Sequence, residues 1–336
     1  MHEGDHTMSK IRWGILGVAK INNRLLPSFR RIARGELHAI ASRDQARADQ
    51  AAREASIPVA YGSYEALLAD PQIDAVYIPL PNTLHDEWTR KAADAGKHIL
   101  CEKPLTPTAP EAEALIAYCH GKGVKLMDGF MWPHHPRTHQ IRKMLNEGII
   151  GTVKRVTGAF TFQLPLDRDN IRLKPDMAGG SLYDVGCYPV YGIRWAMGVE
   201  PVRVCARARW LDGVDLEMSA ILEFADGRLA SFDCGFTAPM RQWLEIVGEK
   251  GVVRIPKMWV PEERAQFFVE RDDQPPETHT CDPADQIACM LDDLATAILD
   301  RQPVYPDPHN AMHSARVIDA LLRSARTGQW ENVGGS

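Results

Sequence analysis

The sequence has no apolar run near the roughly 18 residues that a membrane-spanning helix needs. Its opening stretch, Met1–Lys10, is polar and lacks the hydrophobic segment of a secretion signal. It has no Cys-x-x-Cys pair. The seven cysteines, at 101, 119, 187, 205, 234, 281 and 289, are odd in number and scattered, as expected of reduced thiols in a cytoplasmic protein. There is no positive excess, and a formal net charge of −5 argues against nucleic acid or an anionic membrane as partner. His134, His135 and His139 cluster without an HExxH motif or a Cys/His frame, so no metal is expected. Internal repeats and low-complexity tracts are absent too.

What is present is a globular composition, 45% hydrophobic and 25% charged, over 336 residues, a length suited to two domains. Residues 10–128 alternate short apolar runs with helical segments. The runs are Lys10–Leu16, Glu36–Ala41, Ile73–Ile78, His98–Leu100 and Val124–Met127. That alternation predicts an α/β domain with a doubly wound parallel sheet. From Val153 the pattern becomes apolar/polar alternation in seven stretches, with Asp226-Gly227 and Lys250-Gly251 as turns. Residues 129–330 are therefore expected to form an α+β domain on a large, mainly antiparallel open sheet. Its uncovered face would serve to cover a crevice or to join subunits in a homo-oligomer, a dimer or tetramer. Two helices, about Asp285–Arg301 and His309–Thr327, close the chain.

Lys103 stands out in the first domain. It follows the His98–Leu100 strand in Cys101-Glu102-Lys103-Pro104, where Pro104 halts regular pairing and holds Lys103 extended. A lysine there points into the crevice at the carboxyl ends of the strands; by itself it also fits a surface lysine after an edge strand. Upstream, the first strand runs into Gly14-Ile15-Leu16-Gly17-Val18-Ala19 and then a helix. Gly17 would admit a pyrophosphate at the helix N-terminus, although Leu16 stands where the dinucleotide fingerprint has its second glycine. The second strand ends in Ser42-Arg43-Asp44. An acid at that tip holds the ribose of NAD, whereas Ser42, Arg43 and Arg47 would favour the 2′-phosphate of NADP. Asp44 can instead cap the helix Gln45–Ala55. The third unit ends in the rigid turn Pro79-Leu80-Pro81-Asn82-Thr83-Leu84-His85.

A second constellation lies in Gly179-Gly180-Ser181-Leu182-Tyr183-Asp184-Val185-Gly186-Cys187-Tyr188-Pro189, with Ser181 as candidate N-cap. Asp184 and Tyr188, four apart, share a helix face. An acid and a phenol near a lysine ammonium form a proton-transfer set, because a cation favours the phenolate. A buried Asp–Tyr hydrogen bond is the structural alternative.

The segments at 14–19, 79–85, 101–104, 129–136 (GFMWPHHP) and 179–189 together resemble the Gfo/Idh/MocA family of nicotinamide-dependent sugar and cyclitol oxidoreductases over nearly the whole chain. The resemblance implies a Rossmann domain followed by an open-sheet domain often used for oligomerisation. It implies Lys103, Asp184 and Tyr188 as the catalytic set. Cofactor contacts are implied at Gly14, Gly17, Val18, Ala19, Ser42, Arg43, Arg47, Pro79, Leu80, Asn82, His85, Glu102 and Lys103. Tyr188 stands where many inositol dehydrogenases have histidine. That variant resembles the branch of NADP-dependent aldose dehydrogenases, sugar 3-ketoreductases and dihydrodiol dehydrogenase. The expected activity is hydride transfer between NADP, or NAD, and a hydroxyl carbon of a sugar or polyol. Tyr188 would carry the proton, Lys103 would hold the reacting oxygen, and Asp184 would orient Lys103 or a second hydroxyl. Arg172, Phe160, Phe162 and His135 are weaker candidates for the substrate wall. A non-catalytic sugar sensor or an NAD-dependent glycosidase would use the same fold.

Overall fold

The computed structural model describes residues 10–167, 169–272 and 274–334; the expectation for Met1–Lys10 lies outside them except at Lys10. The chain divides into two compact units. The first runs to Leu105 and adds Glu113–His134 and Asp285–Pro308. The second comprises Thr106–Ala112, His135–Ala284 and the chain from His309 onward.

Through residue 128 the order is β1 (Ile11–Leu16), α1 (Asn22–Phe29), β2 (Gly35–Ala41), α2 (Gln45–Ala55), β3 (Val59–Tyr61), α3 (Tyr64–Leu68), β4 (Ala75–Ile78), α4 (His85–Asp94), β5 (His98–Cys101), α5 (Ala109–Gly121) and β6 (Leu126–Asp128). The six strands form one parallel sheet in the order β3-β2-β1-β4-β5-β6. Its central strands are largely apolar, as strands covered on both faces are. Trp13, Ile15 and Leu16 of β1, and all of β4, are buried. The order reverses at β1 and β4, and a crevice at the carboxyl ends of those two strands is where such sheets bind ligands.

Beyond residue 128 come α6 (Pro136–Asn146), β7 (Val153–Thr161), α7 (Cys187–Met197), β8 (Pro201–Leu211), β9 (Val214–Phe224), β10 (Leu229–Gly235), β11 (Arg241–Gly248), β12 (Val252–Ile255), β13 (Gln266–Arg271), β14 (Gln274–Thr280), α8 (Gln286–Leu299), α9 (His309–Thr327) and β15 (Glu331–Asn332). Nine strands make the second sheet, β14-β13-β12-β11-β7-β10-β9-β8-β15. It is antiparallel except where β7 meets β10. Helices α7 and α9 pack on one side of it. The alternate residues carry cross-strand ion pairs: Arg203–Glu223 at 2.8 Å, Arg209–Glu217 at 2.9 Å, and Arg254 at 3.4 Å from both Glu245 and Glu270.

Helix α8 belongs to the first unit despite its place late in the chain. Ile287, Met290, Leu291 and Leu294 are buried in one core with Trp13, Leu25, Ile40 and Leu100. Asp292 seals that packing by accepting from the backbone N–H groups of Ala33 and Arg34.

Candidate active site

In the first unit, β1 delivers Gly17 at φ +128°, a conformation that favours glycine. A Cβ there would lie 3.1 Å from Leu80 Cδ2, 3.6 Å from the Tyr64 hydroxyl and 4.0 Å from Pro79 Cγ. Three segments thus converge on bare backbone, the cradle a pyrophosphate needs. The Gly17 N–H donates to Ala41 O (3.0 Å), and its carbonyl accepts from the side chain of buried Asn22 (2.8 Å), the first residue of α1. Val18 and Ala19 span the gap to α1. Gly14 serves packing instead. A Cβ there would sit 2.7 Å from Leu67 Cδ2, so its absence lets α3 lie on β1.

At the tip of β2 the two readings of Asp44 separate. Its carboxylate accepts from Arg47 N–H at 3.1 Å and caps α2. Ser42 is buried and its Oγ accepts from Asp44 N–H at 3.3 Å, while Arg43 is exposed. The Arg47 guanidinium donates to Val18 O at 2.7 Å, which links α2 to the glycine turn. Burial raises the pKa of Tyr64, and the charges of Arg43 and Arg47 pull it back. Phenol and guanidinium groups therefore share this corner.

The backbone of Lys103 is held by Glu102. The Glu102 carboxylate accepts from the Tyr77 hydroxyl at 2.6 Å and from Lys103 N–H at 3.2 Å. Tyr77 is fully buried in β4, so it anchors that carboxylate. The Lys103–Pro104 peptide bond is cis. His85, at the start of α4, is fully buried with Nδ1 2.9 Å from Pro104 O and Nε2 2.8 Å from Leu80 O. Burial lowers its pKa, while the two carbonyls facing its nitrogens pull the other way, since only the protonated ring can donate to both. It ties the Pro79–His85 turn to the Lys103–Pro104 corner. Asn82 opens the short 3₁₀ turn between them.

In the second unit, the turn Leu182–Gly186 is π-helical and passes into α7 at Cys187. Asp184 lies in the π turn and Tyr188 in the first turn of α7, so their four-residue spacing crosses a change of helix type. The Asp184 carboxylate accepts from Arg172 Nε at 2.6 Å. Two sequence candidates are thereby joined as an ion pair. The tyrosine ring is buried between Phe160, edge-on at 5.1 Å, and Trp259 at 5.9 Å. Trp259 is fixed by its Nε1–H to Ala159 O (2.9 Å), and Gly192 makes room for it, since a Cβ there would stand 2.5 Å from the indole. Phe162 packs edge-on against Phe236 at 5.3 Å. His135 serves a helix: it is fully buried and its Nδ1 accepts from Arg137 N–H at the start of α6.

Ser181 is not the cap that its position predicts. It has helical dihedrals, and its hydroxyl donates to Asp215 Oδ2 at 2.6 Å. A partner on β9 outcompetes the local backbone because it is buried and charged. The glycine pair before it is explained by close contacts. A Cβ on Gly179 would meet Arg172 O and Lys174 O at 2.7 and 2.8 Å, and one on Gly180 would meet Asp215 Oδ1 at 2.2 Å. Tyr64, Asn22, Trp259 and Asp215 carry no local motif that marks them as part of the site. Only Asp215 left a visible trace, an acid between apolar residues at the start of a strand.

Among the described residues no group of three or more His, Cys, Asp or Glu side chains could hold a metal ion, and no helix is long and apolar enough to cross a membrane.

Comparison with known proteins bears on both units. The family model for the oxidoreductase family with an NAD-binding Rossmann fold matches residues 11–130, and the GFO/IDH/MocA C-terminal domain matches 138–254. The D-xylose 1-dehydrogenase (NADP(+)) 2 of Haloferax volcanii is 41% identical over 319 residues, which cover 94% of this chain and 98% of that protein. The aldose-aldose oxidoreductase of Caulobacter crescentus, solved with glycerol, is similar with a TM-score of 0.89 and 28% identity over 96% of this chain and 99% of its own. A 3-ketoreductase of Actinomadura kijaniata, solved with NADP and TDP-benzene, has a TM-score of 0.86 and 33% identity over 94% and 98% of the two chains. With both family domains matched along most of its length, the chain belongs to the Gfo/Idh/MocA family of oxidoreductases.

Proposed function

We propose that the protein is an NADP-preferring dehydrogenase of an aldose of the D-xylose kind, with Lys103, Asp184 and Tyr188 as its proton-transfer set. The observation that carries this reading is the 41% identity, spread over 94% of the chain, to an NADP-dependent D-xylose dehydrogenase. The β2 tip supports the cofactor choice, since Ser42 and Arg43 face no competing acid once Asp44 caps α2. Bare backbone at Gly17, with Val18, Ala19, Pro79 and Leu80 around it, suits a pyrophosphate. NADP, when bound, supplies the hydride acceptor. Tyr188 takes the proton of the sugar C1 hydroxyl as the hydride leaves C1, which becomes the lactone carbonyl. Lys103 stabilises the developing alkoxide by its charge. Asp184, held by Arg172, orients a second hydroxyl of the ring or Lys103.

A sugar 3-ketoreductase running the same chemistry in reverse is the second reading, favoured by the likeness to the Actinomadura enzyme. The test is a panel of aldoses, polyols and a trans-dihydrodiol offered with NADP+ and NAD+, read as nicotinamide absorbance. D-xylose or a close aldose with NADP+ is the expected hit. No reduction with any member would revive a sensor. Release of an aglycone without net reduction would identify a glycosidase.

Nine strands with too few helices to cover both faces support assembly into a homo-oligomer, a dimer or tetramer, through residues 153–270. Light scattering at micromolar concentration is expected to give a multiple of the chain mass, and a monomeric mass would count against this arrangement. Seven cysteines outside any disulfide support a reducing, cytoplasmic setting, where burial keeps Cys119 and Cys289 inert by pushing them up to about 12 and about 11.

A further inference from the structure

One buried carboxylate under the π turn has no part in the chemistry proposed above. Asp215, near the start of β9, is 1% exposed. Its Oδ2 accepts from the Ser181 hydroxyl at 2.6 Å and from the Leu182 N–H at 2.7 Å. Its Oδ1 faces Gly180 so closely that any Cβ there would collide with it. The first N–H groups of a helix lack partners within it, and a residue just ahead normally supplies the acceptor. Here the acceptor comes from a distant strand.

We propose that Asp215 is the positioning residue of this half-site: it fixes where the Leu182–Gly186 turn begins and so how Asp184 and Tyr188 are presented. The inference rests on the reading that those two side chains serve the reaction. A π turn is a rare and wide form of helix, frequent at functional sites. Its phase depends on where its first N–H is anchored, and Asp215 is the anchor. Gly180 is what lets a carboxylate approach that closely.

The groups facing Asp215 are the Ser181 hydroxyl and Tyr183 phenol of the same turn and the Cys234 thiol of β10. Cys187 of α7 and Asp233 of β10 lie next to Cys234. Burial is the largest influence on Asp215 and pushes its carboxyl from 3.8 to about 6, with the hydrogen bonds pulling it back. The sign matters. A carboxyl raised on folding adds stability that is full below 3.8 and lost as pH rises through about 6. Acidification therefore does not unfold the protein through this group. It removes the charge that strengthens both bonds to the turn. On this reading the turn loosens below about pH 6 while the fold stays intact.

The test is Asp215→Asn in the full-length protein, with turnover measured on the best aldose and hydrogen exchange read over residues 181–188. Expected are unchanged NADPH affinity, kcat lowered by about tenfold or more at neutral pH, and exchange of the Leu182 amide faster by a similar factor. In the wild type, kcat and that protection should fall together below about pH 6; in the variant this acid limb should be absent. Wild-type turnover and protection in Asp215→Asn would overturn the inference. Should that variant not fold, Ser181→Ala removes one donor alone. A smaller loss in the same direction supports the inference, and wild-type values overturn it. Tyr188→Phe is run alongside. Full turnover there removes the catalytic reading and this inference with it. Lost turnover there beside a normal Asp215→Asn overturns the inference alone.

Discussion

Tyr188→Phe is expected to lower kcat by about 10²–10⁴-fold, the usual worth of a positioned proton acceptor, while leaving NADPH affinity unchanged. The substitution removes one oxygen and keeps the ring. Its contacts with Phe160 and Trp259 are made by ring carbons, so the half-site keeps its packing. On the proposed reading, cofactor affinity rests on the glycine turn and the β2 tip of the other unit, which the change does not alter. Stopped-flow and steady-state rates with the best aldose, beside NADPH fluorescence titration, separate the two effects. Near wild-type turnover across the pH range would show that Tyr188 does not carry the proton, and would leave Lys103 as the group that does.

Arg43→Ala is expected to weaken NADP(H) binding by about tenfold or more with little change for NAD(H). A charge-assisted hydrogen bond to a 2′-phosphate contributes about 1.5–3 kcal/mol. That corresponds to a preference of roughly 10- to 100-fold. The opposing possibility in the sequence was Asp44, whose carboxylate would repel a phosphate if turned inward. It is instead engaged with Arg47 N–H at the start of α2. Arg47 is committed to Val18 O, which makes Arg43 the cation of the pair that can turn to a ligand. Titrating both reduced cofactors against wild type and variant by nicotinamide fluorescence decides it. Equal losses would mean that Arg43 only stacks on adenine, and the preference for NADP would have to be withdrawn.

The parallel sheet was legible because its strands and helices differ in period and are punctuated by Gly17, Gly96 and the proline turn at 79–81. Helix α2 was legible to the residue, since Asp44 is an acid placed just ahead of an alanine-rich run. Strand β3 was not, because three residues carry no periodicity. Strand β14 has two prolines and mostly exposed side chains, so it reads as a loop; it is an edge strand, where proline is tolerated. No local pattern says which sheet a helix will cover, and α8 returns to the first one across a long separation in sequence.

The same limit applies at the site. Residue types in the short segments around Lys103, Asp184 and Tyr188 pointed to proton transfer. Their tertiary partners did not appear in the spacing: Arg172 on Asp184, Tyr77 on Glu102, Asp215 on Ser181. The rule for caps is local and points to Ser181, whereas the acceptor for the turn comes from another strand.

The most direct measurement of the central claim is the fate of the hydrogen at the anomeric carbon. Purified protein is incubated with D-xylose deuterated at C1 and NADP+, and the reduced cofactor and the sugar product are weighed by mass spectrometry. Direct hydride transfer from C1 predicts that the deuterium is recovered in NADPH and that the product is the unlabelled lactone or its acid. Deuterium retained in the sugar while NADPH forms, or no NADPH with any aldose, would contradict the account.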